Sequence, residues 1–93
     1  MPLQTRFYPY TPTRPPTCVG CYELAWVENI VYIGMGRIDR RLRTHHRDDQ
    51  KTWNRYRCIV TSDRRRAEQI ERRELRKFRA RHGRLPKYNQ RVG

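Results

Sequence analysis

The segment Gly20–Gly34, GCYELAWVENIVYIG, decides how this chain folds. It is the only long apolar run in a 93-residue sequence otherwise dense in arginine. Its β-branched and aromatic residues read as two strands of a hairpin, with Glu28-Asn29 as the turn. Two tyrosines, Tyr22 and Tyr32, stand near its ends, each close to a glycine. Side chains alternate along a strand, so Tyr22 shares a face with Leu24 and Trp26. Tyr32 joins that face only if the turn has odd length or a bulge intervenes. With a two-residue turn alone, the tyrosines point to opposite sides of the sheet.

Outward from the hairpin, residues 1–17 hold five of the six prolines and read as an extended arm without regular hydrogen bonding. The arm's Phe7, Tyr8 and Tyr10 are expected to pack on the domain rather than stack on bases. Residues 18–93 form one domain, the most that this length allows. After Gly34 and Gly36 a helix is predicted over 37–47, then a strand over 53–61. A second helix starts with Ser62 or Asp63 as N-cap and stops at Gly83. The tail LPKYNQRVG reads as turn-like. The order ββαβα predicts a small α/β (α+β) sandwich with a mostly antiparallel sheet flanked by helices.

Lys and Arg total 22 against 9 Asp and Glu, a net charge of +13. Such a field on so short a chain points to a phosphate-rich polymer, and arginine suits bidentate phosphate contacts. No run of about 18 apolar residues exists to span a membrane. The N-terminus lacks the apolar core of a signal peptide, so a cytoplasmic or nucleoid-associated, non-secreted protein is expected. Three cysteines, an odd number, argue against a disulfide framework.

Both helices place polar groups where apolar ones belong. In the first, Ile38 and Leu42 mark the inner face, and helical spacing puts Arg41 and His45 on the same stripe while Arg40 points away. In the second, the face is marked by Ala67, Ile70, Leu75 and Phe78. At ~100° per residue, Glu71 and Glu74 each fall roughly 30° from its centre. A carboxylate there is costly without a partner or a metal. A buried ion pair such as Glu71 with Arg41 is the structural alternative to a functional site.

In this order, GCY, YIG, RRLRTHH, IERREL and PKYN resemble the GIY-YIG nuclease family over Gly20–Asn89. The resemblance implies a three-stranded antiparallel sheet and divalent-metal-dependent cleavage of DNA phosphodiesters, as in repair or recombination. It assigns Tyr22 and Tyr32 to the motif tyrosines, Arg41 and His45 to the first helix's site residues, and Glu71 to the metal ligand. Asn89 matches the family's C-terminal asparagine. The resemblance alone separates Glu71 from Glu74. It makes Mg²⁺ or Mn²⁺ the expected cofactor, a hard ion that one carboxylate would hold weakly without DNA phosphates. Arg41 would clamp the scissile phosphate. One tyrosine would deprotonate or position the water, with His45 as helper or phosphate ligand.

Arg37, Arg40, Arg43, His46, Lys51, Arg55, Arg64, Arg65 and Lys87 are the candidate DNA contacts outside that stripe. With no appended recognition domain, the expected substrate is structured or branched DNA, such as a junction or flap, or DNA cut with little sequence specificity. A homodimer is compatible with this. A non-catalytic basic nucleic-acid-binding module explains the charge and uses exposed Trp53 and Tyr56 for stacking, but leaves Arg41, His45 and Glu71 unexplained. A zinc module would start from Cys18 and Cys21, yet no second paired spacing follows.

Overall fold

A computed structural model describes residues 7–10 and 14–89 of the chain. In chain order it contains β1 (Tyr8–Pro9), β2 (Val19–Trp26), β3 (Asn29–Arg37), α1 (Ile38–Arg47), β4 (Arg55–Val60) and α2 (Arg64–His82). A single 3₁₀ turn, Lys87–Asn89, follows. The strands form one antiparallel sheet in the order β1-β4-β2-β3, giving a small α+β domain.

The sheet has four strands, not the three expected. The fourth comes from the proline-rich arm, which was expected to make no regular hydrogen bonds. Tyr8 pairs with Tyr56 and Pro9 with Arg55, and Tyr10 N–H donates to Asn54 O at 3.1 Å. A proline cannot donate, but its carbonyl still accepts, and a two-residue edge strand tolerates it. Of the remaining arm, residues 1–6 and 11–13 lie outside the described residues. Two of the arm's three aromatics pack as expected, Phe7 lying 4.5 Å beneath the Arg57 guanidinium and Tyr10 meeting Trp53 edge-on at 5.0 Å, whereas Tyr8 is 38% exposed.

The hairpin turn falls at Val27-Glu28, one residue before the expected Glu28-Asn29. Val27 takes a positive φ of 59°, uncommon for a β-branched residue, and its N–H donates to Asn54 Oδ1 at 3.2 Å. A two-residue turn alone would separate the tyrosines. The register shows what prevents it: Leu24 faces Tyr32 and Ala25 faces Ile30, so Val31 is an extra, bulged residue on β3. The bulge turns Tyr32 back to the face of Tyr22 and Leu24.

Each sheet face then has its own core. Tyr22, Leu24, Tyr32, Tyr56 and Cys58 pack with Ile38 and Leu42 of α1 and with Trp53. Cys21, Ile33 and Ile59 pack with Ile70, Leu75 and Phe78 of α2. Trp53 and Tyr56, expected to be exposed as a stacking platform, are 8% and 2% exposed.

The helix ends follow local chemistry. The leading amides of α1 find backbone acceptors, Ile38 N–H on Cys18 O and Asp39 N–H on Pro16 O. Asp63 caps α2 by accepting from Arg65 N–H at 2.9 Å, and left-handed Gly83 ends it. No helix among the described residues is long and apolar enough to cross a membrane.

Candidate active site

Strands β2 and β3 and helix α1 meet around the Tyr22 hydroxyl. Tyr22 is opposite Gly34 across the hairpin. A Cβ at Gly34 would lie 2.6 Å from Tyr32 Cε2 and 2.7 Å from Tyr22 Oη, so the glycine is what lets both rings lie against the β3 backbone. The ring centroids are 6.1 Å apart. Gly36 does the same for the stem of Arg41, whose Cγ would sit 3.0 Å from an added Cβ.

One turn apart on α1, Arg41 and His45 both reach Tyr22, as the helical stripe predicts. Arg41 Nε–H donates to Tyr22 Oη at 3.3 Å, and His45 Nε2 lies 2.9 Å from the same oxygen. The His45 ring also packs 4.6 Å from Tyr32. The Tyr22–His45 contact is buried, with Tyr22 0% and His45 2% exposed, and the Arg41 contact is part-buried. Burial holds the Tyr22 phenol well above its usual pKa, with neighbouring Tyr32 adding to it and Arg41 opposing it. His45 is pushed down to about 4 by burial, then by the cations Lys51 and Arg41, so its imidazole is neutral at neutral pH. The bond to Tyr22 strengthens the charged form of Arg41.

Glu71 and Glu74, indistinguishable by helical angle, differ in surroundings. Glu74 pairs with Arg73 at 3.9 Å and Lys77 at 3.8 Å, and lines a cleft of about 200 Å³ with Glu23, Arg57 and Phe78. That cleft belongs to the α2 side of the sheet, away from the tyrosines. Half-buried Glu71 forms no ion pair within 4.0 Å among the described residues, so the Glu71–Arg41 pair considered from the sequence does not form. Burial and neighbouring Glu68 raise its carboxyl, while Arg72 and Arg41 attract it.

Asn89 serves the site from behind. Its Oδ1 accepts from Ile33 N–H at 2.8 Å and its Nδ2 donates to Ile33 O at 2.9 Å, closing the free edge of β3 between Tyr32 and Gly34. Among the candidate DNA contacts, Arg40, Arg43, His46, Arg55, Arg64, Arg65 and Lys87 are exposed. Arg37 is tied to Asp39 at 2.9 Å. Lys51 turns inward, 2.8 Å from His45 Nδ1.

The sequence reading missed the pair of buried Glu23 with half-buried Arg57, at 2.6 Å, on the opposite face from Tyr22. Strand alternation from Tyr22 was the available signal, since it turns Glu23 towards α2. Burial raises the Glu23 carboxyl, and Arg57 opposes the shift.

No three His, Cys, Asp or Glu side chains gather among the described residues. Glu71 nonetheless fits a hard divalent cation, as an oxygen donor in a partly buried place without a salt-bridge partner. One carboxylate suits an ion that keeps several waters and takes substrate phosphates as ligands. Comparison with protein-family models, curated proteins and solved structures finds no match for this chain.

Proposed function

We propose that this protein is a Mg²⁺- or Mn²⁺-dependent DNA endonuclease of the GIY-YIG type, acting on structured or branched DNA or with little sequence specificity. The observation that carries the reading is the convergence of Tyr22, Tyr32, Arg41 and His45 from three elements onto one hydroxyl cluster. These are the residues that the motif resemblance assigns. The net charge of +13 supplies the affinity for DNA.

In this reading Arg41 binds the scissile phosphate. Its Nε–H donates to Tyr22 and its side chain also lies within bonding reach of the Tyr32 hydroxyl, which fixes the guanidinium plane, and its remaining N–H groups are the donors for phosphate oxygens. Glu71 holds the cation, which when bound neutralises phosphate charge and acidifies a water. Tyr32, the less buried tyrosine, orients the attacking water. Tyr22 remains protonated and anchors Arg41 and His45. Asn89 keeps β3 in register, and with it Tyr32.

A non-catalytic basic nucleic-acid-binding module is the second reading, favoured by the complete burial of Tyr22. The two are separated by incubating the protein with linear, flap and four-way-junction DNA in Mg²⁺, Mn²⁺ or EDTA. The nuclease reading expects cutting that EDTA stops. Binding to all three without cutting in either metal selects the second reading.

A further inference from the structure

Charge alone assigns Lys51 to DNA. Its ammonium instead points into the site, 2.8 Å from His45 Nδ1, 3.6 Å from Asp48 Oδ2 and 5.1 Å from the centre of the Tyr32 ring. An ammonium has three donors and no acceptor. His45 Nδ1 must therefore accept, the imidazole proton sits on Nε2, and Nε2–H donates to Tyr22 Oη. Arg41 Nε–H donates to the same oxygen. A phenolic oxygen accepting two such bonds has only its own proton left to offer.

We infer that Lys51 is a positioning residue: it fixes His45 as the neutral Nε2–H tautomer, so that His45 donates to Tyr22 and cannot take its proton. The assignment limits the helper role of His45 to holding the Tyr22 hydroxyl, not taking its proton. Of the charged and titratable groups facing the imidazole, Lys51 and Arg41 oppose a second proton on the ring, whereas Asp48 favours one while anchoring the Lys51 ammonium, and burial with the two cations outweighs it; Tyr22 and Tyr32 enclose the ring from β2 and β3. The hydrogen-bond direction holds with or without catalysis; only its consequence for cutting rests on the nuclease reading.

The test is long-range proton–nitrogen NMR of the imidazoles in the ¹⁵N-labelled full chain, without DNA, at neutral pH. Wild type is expected to show His45 protonated on Nε2 alone. Lys51→Met keeps most of the stem and removes the donor, and should give mixed tautomers or an imidazolium. Lys51→Arg should restore the single pattern. Protonation on Nδ1 in wild type overturns the inference, as does the wild-type pattern persisting in Lys51→Met. If Lys51→Met does not fold, the wild-type and Lys51→Arg spectra decide. In cleavage, Lys51→Met should lose about ten- to a hundredfold in turnover, the usual cost of losing a group that orients another, with Lys51→Arg recovering most of it. Weaker DNA binding with unchanged turnover would instead make Lys51 a phosphate contact. A chain that cuts no DNA yet shows the Nε2–H pattern defeats the nuclease reading and leaves the inference standing.

Discussion

Tyr22 and His45, 23 residues apart, are joined by a buried 2.9 Å hydrogen bond that ties the middle of β2 to the last turn of α1. The Tyr22 oxygen is also the acceptor for Arg41 Nε–H. Removing that oxygen leaves the buried His45 Nε2–H and the part-buried Arg41 Nε–H without their acceptor. Tyr22→Phe should therefore cost about 1–3 kcal/mol, the penalty for unsatisfied buried groups. Tyr32→Phe should cost clearly less, since no buried pair of donors depends on it. Urea unfolding of the two variants checks the difference, and equal losses would contradict it.

Gly34→Ala should damage the site without touching a polar group. The added Cβ would press on Tyr32 Cε2 and Tyr22 Oη together, at 2.6 and 2.7 Å. Overpacking of this kind costs about 1–3 kcal/mol and shifts side chains. The near-ultraviolet circular dichroism of the tyrosines should change, and the thermal midpoint should fall. A spectrum and midpoint equal to wild type would show that the rings have room to spare.

Stability should depend on His45 at mildly acidic pH. Its folded pKa is near 4, against 6.5 for the free group, so the unfolded chain takes up the proton first. The contribution is complete above about pH 6.5 and is lost as pH falls towards 4. Glu23 and Glu71, whose carboxyls are raised, act in the opposite sense as pH rises through the ordinary carboxylate range. Comparing wild type with His45→Gln isolates the histidine. The stability difference between them should shrink as pH falls from 6.5 to 4, and a constant difference would show that His45 titrates normally.

The two half-buried glutamates of α2 should behave differently. Glu71→Gln removes the proposed cation ligand and should abolish cleavage while DNA binding persists. Because burial disfavours the Glu71 charge, the variant should be at least as stable as wild type at neutral pH. Glu74→Gln breaks contacts to Arg73 and Lys77 in the other cleft and should leave cleavage within a fewfold of wild type. Reversed phenotypes would move the site to the opposite face of the sheet.

Much of this arrangement is written in local patterns. The stripe Ile38, Arg41, Leu42, His45 follows from helical periodicity, and Asp63 and Gly83 mark the ends of α2. What could not be read depends on long-range register. The Val31 bulge is invisible in the apolar run, yet it decides that Tyr32 faces Tyr22. The pairing of Tyr8 and Pro9 with β4 runs against the local proline signal, and only an available sheet edge explains it. Lys51 was read as one cation among many because charge counts carry no direction. Glu71 and Glu74 lie at equal angles on one helix, and it takes the tertiary neighbours to tell them apart.

The central claim is that one arginine, placed by Tyr22 and Gly36, carries the chemistry, while the remaining arginines supply affinity. Cleavage of a four-way junction in Mg²⁺ by wild type, Arg41→Ala and Arg40→Ala tests it most directly. Arg40 is exposed on the far side of α1 and lacks the Tyr22 contact. The account predicts that Arg41→Ala loses at least about a hundredfold in turnover, as for loss of a transition-state donor, with Arg40→Ala losing only affinity. Equal losses in the two variants, or cutting by Arg41→Ala at the wild-type rate, would contradict it.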